Sequence, residues 1–85
     1  MTENKSWYVY LLECADGTYY TGITTDLQRR EWEHNNDKKA ARYTRARRPV
    51  KLVWFENQSS RANASKREFE IRNLKREDKR RLANI

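Results

Sequence analysis

Residues 6–13, Ser-Trp-Tyr-Val-Tyr-Leu-Leu-Glu, put Trp7, Val9 and Leu11 on one side of an extended chain and Tyr8, Tyr10 and Leu12 on the other. Apolar or aromatic groups on both sides read as a strand buried on both faces. Ala15-Asp16-Gly17-Thr18 is a turn signal, and Tyr19–Ile23 reads as the strand that returns from it. The length of that turn decides whether Tyr10 and Tyr20 can meet, because side chains alternate between faces. A two-residue loop at Asp16-Gly17 would pair Glu13 with Tyr20 and send Tyr20 to the face opposite Tyr10. A three-residue loop with a left-handed Gly17 would pair Cys14 with Tyr20 and bring both tyrosines onto one face.

Beyond the hairpin, Thr25 followed by Gln28 matches a capping box, with Asp26 in the first turn, which predicts a helix over about residues 26–35. Thr24 and Thr25 are accordingly capping residues. Asn35-Asn36-Asp37 ends the helix, a basic loop without clear periodicity follows, and Pro49 fits the entry to a strand at residues 50–55. Ser59 or Ser60 can cap a second helix of roughly residues 61–75, and a short charged helix covers about 76–83. The order ββ-α-β-α-α predicts an α+β domain, a three-stranded antiparallel sheet flanked by helices.

With 85 residues, the chain has room for a single domain, 1–85, whose core spans about 6–76. Hydrophobic residues make up 36%, so that core must lean on its aromatics. No apolar run approaches the ~18 residues of a membrane span and no charged-then-apolar leader is present, so the expected location is cytoplasmic. Cys14 stands alone, which predicts a small buried strand residue; with no His/Cys/Asp cluster elsewhere, a structural zinc site is not expected.

The net charge of +7 is unevenly spread. Residues 1–37 carry three basic and seven acidic side chains, whereas residues 38–51 carry seven basic and none acidic. Lys38, Lys39, Arg42, Arg45, Arg47 and Arg48 form a cationic patch suited to a polyanion, where each neutralised phosphate releases counterions, and Tyr43 among them can stack on an unpaired base.

Helical spacing narrows the remaining candidates. Arg30 and His34 lie four apart and share a face beside Leu27, so they flank the core while Arg29 points to solvent. Glu68 lies one turn from Ala64 and three residues from Ile71, on the apolar side of its helix; Glu70 points away. A carboxylate there needs a partner.

Taken together, Tyr8-Val9-Tyr10, Tyr20-Thr21-Gly22, Arg30, His34 and Glu68 resemble the active-site pattern of the GIY-YIG nucleases, over roughly residues 7–76. The small standalone bacterial members are the most similar, with strands reading like Trp7–Leu12 and Tyr20–Asp26. The resemblance implies the same fold, with both motif tyrosines at one site and therefore an odd-length hairpin loop or a bulge. It implies a metal-dependent endonuclease that hydrolyses phosphodiester bonds in DNA, with a structure-selective substrate of the repair or recombination type or a weakly selective one. It also implies roles: Tyr10, assisted by His34, takes a proton from water, Tyr20 orients the water or phosphate, Arg30 stabilises the phosphoryl transition state, and Glu68 holds one Mg²⁺ or Mn²⁺. Here the first motif is Tyr-Val-Tyr and the second Tyr-Thr-Gly, and the asparagine of many members, some dozen residues after the glutamate, is replaced by Arg80, with Asn73 and Asn84 as alternatives. A non-catalytic or weakly active nucleic-acid-binding module is the competing reading, and a protein partner that supplies specificity is left open.

Overall fold

The computed structural model of the protein describes residues 6–83. Strand β1 (Trp7–Glu13) lies between β2 (Tyr19–Thr24) and β3 (Lys51–Gln58), and both pairings are antiparallel. The central position accounts for the two-sided apolar run: Val9, Tyr10, Leu11 and Leu12 are each at most 2% exposed. Helix α1 (Leu27–Asn36) and the short α2 (Arg42–Arg45) separate β2 from β3, and α3 (Arg61–Arg72) and α4 (Arg76–Leu82) follow β3.

The two faces of the sheet carry separate clusters. Val9 and Leu11 pack with Ala64 and Ile71 of α3, and Leu82 of α4 joins them. On the other face Tyr10 and Leu12 pack with Cys14 and Val50, joined by Tyr20 and by Leu27 of α1. The result is the predicted α+β architecture, a three-stranded antiparallel sheet flanked by helices. Cys14 is buried, as expected. Among the described residues, no helix is long and apolar enough to cross a membrane.

The hairpin loop has an odd length, Ala15-Asp16-Gly17, and Gly17 is left-handed with φ 83°. Tyr20 nevertheless faces Leu12 rather than Cys14. The cause is Asp16, whose carboxylate accepts from the Thr18 backbone N–H at 3.1 Å and from the Thr18 hydroxyl at 2.6 Å, drawing Thr18 into the ladder opposite Cys14. Because Tyr10 and Leu12 share a face, Tyr20 still joins Tyr10.

Three other expectations need correction. Helix α1 is capped by Asp26, whose carboxylate accepts from the Arg29 N–H at 3.1 Å, and not by Thr25. The Thr24 hydroxyl accepts from the Asp26 N–H at 3.1 Å, keeping the chain extended through Asp26 and delaying the first turn by one residue. The basic segment is not wholly a loop, since α2 forms one turn in it that is too short to leave a periodic trace. Helix α3 begins after Ser60, whose hydroxyl accepts from Asn63 N–H, and stops at Arg72 instead of running to 75.

Candidate active site

The Tyr10 hydroxyl sits at the meeting point of β1 and α1. It lies 2.8 Å from His34 Nε2 and accepts from Arg30 Nε at 3.4 Å. The protonation of the histidine follows from its other nitrogen. Nδ1 lies 2.8 Å from the Thr44 hydroxyl, which spends its own hydrogen on the Ala41 carbonyl at 2.9 Å. Thr44 must therefore accept from Nδ1–H, which leaves Nε2 as the acceptor of the Tyr10 proton. Burial pushes Tyr10 up to about 12. The same burial, reinforced by the Arg30 cation, holds His34 down to about 4. At neutral pH the pair is thus a neutral phenol donating to a neutral imidazole, with a guanidinium alongside.

Arg30 was expected to flank the core beside His34, and it does, one-third exposed and also bonded to Glu33 at 3.0 Å. Arg29 points to solvent and pairs with Glu33. His34 is 0% exposed, more deeply set than a flanking position would make it. Tyr20 lies against both groups, its ring centroid 5.0 Å from that of His34 and 6.5 Å from that of Tyr10. Gly22, directly across from Tyr10, is where the missing side chain matters: a Cβ there would fall 2.6 Å from Tyr10 Cζ and closer still to its hydroxyl. The ring occupies the space a side chain at position 22 would fill, which only glycine leaves open.

Glu68 arrives from the opposite face of the sheet. Alternation along β2 directs Tyr20 and Gly22 to one side and Tyr19, Thr21 and Ile23 to the other, and a cleft of about 640 Å³ wraps over this free edge. Tyr10, Tyr20 and Arg30 line it from the α1 side, and Glu68, Arg72 and Lys79 from the α3 and α4 side. Glu68 also adds to the upward push that burial gives the Tyr20 hydroxyl, so the two groups share one field. The five candidate residues therefore converge: His34 lies behind Tyr10, and the other four line the cleft. Glu70 points away and binds Arg67.

Sequence reasoning missed four participants. Arg72 holds Glu68 at 3.3 Å, one turn away on α3. Lys79 lines the cleft, as does Thr21, whose hydroxyl is buried without a hydrogen-bond partner. Thr44 sets the histidine tautomer. Arg72 was legible from its i,i+4 spacing to Glu68, and Thr21 sits within the second motif on β2, whereas Thr44 and Lys79 depend on how α2 and α4 dock.

Within the cationic segment the side chains divide. Arg48 donates to the carbonyls of His34 and Asp37, at 2.7 and 2.6 Å, and closes the end of α1. Arg47 binds Asp16 at 3.0 Å and lies 3.8 Å over the Tyr43 ring, covering one face of it. Lys38, Lys39, Arg42 and Arg45 are exposed. Asn73 is occupied in capping α3 through the Phe69 carbonyl, and Asn84 lies outside the described residues.

No group of three or more His, Cys, Asp or Glu side chains is placed to hold a metal among the described residues. The cleft offers one carboxylate, Glu68. This donor set suits a hard divalent ion held mainly by water and phosphate oxygens, and it does not suit zinc.

Comparison with known proteins gives the family. A family model described as the GIY-YIG catalytic domain matches residues 6–82. The chain belongs to the GIY-YIG family. A UPF0213 protein of Desulfotalea psychrophila is 54% identical over 95% of this chain and 74% of its own length. Another UPF0213 protein, from Haloquadratum walsbyi, is 50% identical over 94% of this chain and 89% of its own. Two solution NMR structures share the fold. The UPF0213 protein of Bacillus halodurans has 43% identity and a TM-score of 0.57 over 93% of this chain and 83% of that one. A protein of E. faecalis has 41% identity and a TM-score of 0.61 over 95% and 85%. The match puts the chain in a nuclease family, whose substrates are nucleic acids. Within this GIY-YIG domain, the two motif tyrosines and the motif glycine lie together at the β1–β2 pair.

Proposed function

We propose that the chain is a metal-dependent endonuclease that hydrolyses phosphodiester bonds in DNA, with a structure-selective or weakly selective substrate. The observation that carries this reading is the Tyr10 hydroxyl, which donates to His34, accepts from Arg30 and lines a cleft shared with Glu68. A neutral phenol can take a proton from water only by giving up its own. Tyr10 passes its proton to His34 Nε2 as the attacking water loses one to Tyr10 Oη, and Thr44 keeps Nε2 free to receive it. Arg30 offsets negative charge on the phosphoryl oxygens and on any phenolate character at Tyr10. Tyr20 borders the place where water or phosphate sits. Glu68 holds one Mg²⁺ or Mn²⁺, which when bound stabilises the leaving oxygen. The new P–O bond forms from water and the P–O3′ bond breaks, giving 5′-phosphate and 3′-hydroxyl ends. The exposed Lys38, Lys39, Arg42 and Arg45 hold the flanking backbone.

One contact favours a second reading, binding without cleavage: Arg72 already occupies Glu68. The test is incubation with Mg²⁺ or Mn²⁺ and labelled duplex, single-stranded, flap and four-way DNA, beside Glu68→Ala prepared identically. Cleavage by the wild type alone, with binding retained in the variant, supports the nuclease. Equal binding without cleavage in both favours the binding module.

A further inference from the structure

Arg30 reaches the cleft from the α1 side of the sheet, and a second cation with no evident structural duty reaches it from the other side. We propose that Lys79 is a substrate-contacting residue whose ammonium binds a phosphate of the strand in the cleft, across the β2 edge from Arg30. This assignment rests on the phosphodiester reading given above and adds a second wall to the site.

The docking of α4 puts Lys79 there. The helix starts beside the hairpin loop, where a Cβ on Gly17 would lie 2.9 Å from the Arg76 guanidinium. It ends with Leu82 packed against the Val9 and Leu11 cluster. Between these anchors Lys79, one turn before Leu82, lies on the same side of α4 as that leucine. Lys79 accordingly lines the cleft together with Tyr19, Thr21 and Glu68.

No carboxylate among the described residues pairs with Lys79. Arg67 and Arg72 of α3 and Arg81 of α4 each pair with a carboxylate, whereas Lys79 makes no ion pair among the described residues. The nearby carboxylate, Glu68, is held by Arg72. Half-burial without a counter-charge lowers the Lys79 pKa, the electrostatic mark of an ammonium that has lost water and gained nothing in return. A lysine that only covers apolar surface with its stem would turn its ammonium to open water, whereas Lys79 lines the cleft. A phosphate in the cleft supplies the missing counter-charge. Arg80, the neighbour at the position of the family asparagine, is exposed and does not line the cleft.

The experiment is fluorescence anisotropy with a short fluorescein-labelled single-stranded DNA, in metal-free buffer, between about 50 and 200 mM salt. Lys79→Ala should weaken binding several-fold and flatten the plot of log affinity against log salt by about 0.7, the value of one lost phosphate contact on a single strand. Lys79→Arg should restore the wild-type slope. Lys66→Ala, on the exposed side of α3, should leave it unchanged. Lys79→Met, which keeps an apolar stem, replaces the alanine variant if that variant does not fold. A wild-type slope in Lys79→Ala or Lys79→Met overturns the role of Lys79 while leaving the phosphodiester site standing. No binding by the wild type overturns the phosphodiester site and the Lys79 assignment with it.

Discussion

Tyr10 must be deep enough to hold His34 and Arg30 in fixed positions, yet its hydroxyl must remain at the wall of the cleft. The protein reconciles these demands by laying the ring across Gly22. Any larger residue there competes for the space of the phenol, and the ring cannot swing away without losing the 2.8 Å contact to His34. Gly22→Ala should therefore destabilise the fold by about 1–3 kcal/mol, the usual cost of overpacking a tight site. It should also abolish cleavage of any DNA that the wild type cuts. Chemical denaturation measures the first effect and a gel assay the second. Wild-type stability together with wild-type cleavage would mean that the ring does not need this bed. Arg30 and His34 were nameable from helical spacing, whereas Tyr10 and Glu68 were nameable as site residues only through the resemblance to the GIY-YIG pattern. Thr44 was not, because its effect depends on which groups its single hydrogen and its lone pairs face.

Among the elements, the hairpin and α1 show what a sequence pattern resolves and where it stops. The resemblance required Tyr10 and Tyr20 on one face, loop parity stated the condition for it, and parity survives an even shift of register, so the shared face held although the partner of Tyr20 differs. The register itself depends on the Asp16 to Thr18 bonds, which no alternation of apolar residues encodes. The start of α1 was misplaced by one residue because Thr25-x-x-Gln28 and Asp26 offer competing caps, and Thr24 decides between them. Asp26→Ala should accordingly cost about 1 kcal/mol by removing the bond to Arg29 N–H. Thr25→Ala should be close to neutral. Urea midpoints of the two variants measured side by side test this, and an inverted order would return the cap to Thr25. Helix α2 stayed invisible because one turn has no period, yet it carries Thr44. The cleft was likewise only half legible: the α1 wall follows from helical spacing, whereas the α4 wall needs the docking of Leu82.

For the molecule as a whole, the histidine of the site is also part of its core. His34 is 0% exposed and bonded on both nitrogens, between the Tyr10 cluster and α2. Unfolding returns it to water, where it takes up a proton near its ordinary value of 6.5, while in the folded chain burial and Arg30 hold it to about 4. Between those values the unfolded chain binds the extra proton. The contribution is therefore fully present above about 6.5 and is lost as pH falls toward about 4. Its size follows from the gap between the two values, on the order of 3 kcal/mol, which is a large part of the stability available to a chain of this size. Thermal midpoints should fall steeply for the wild type over this window and much less for His34→Gln, an uncharged residue. The difference between the two chains isolates the histidine from carboxylates such as Glu33, whose own pKa is held low by Arg30 and Arg29. A difference that stays constant from pH 7 to pH 4 would mean that His34 titrates alike in both states; a ¹⁵N titration of its ring in the folded protein should instead show it still neutral at pH 5.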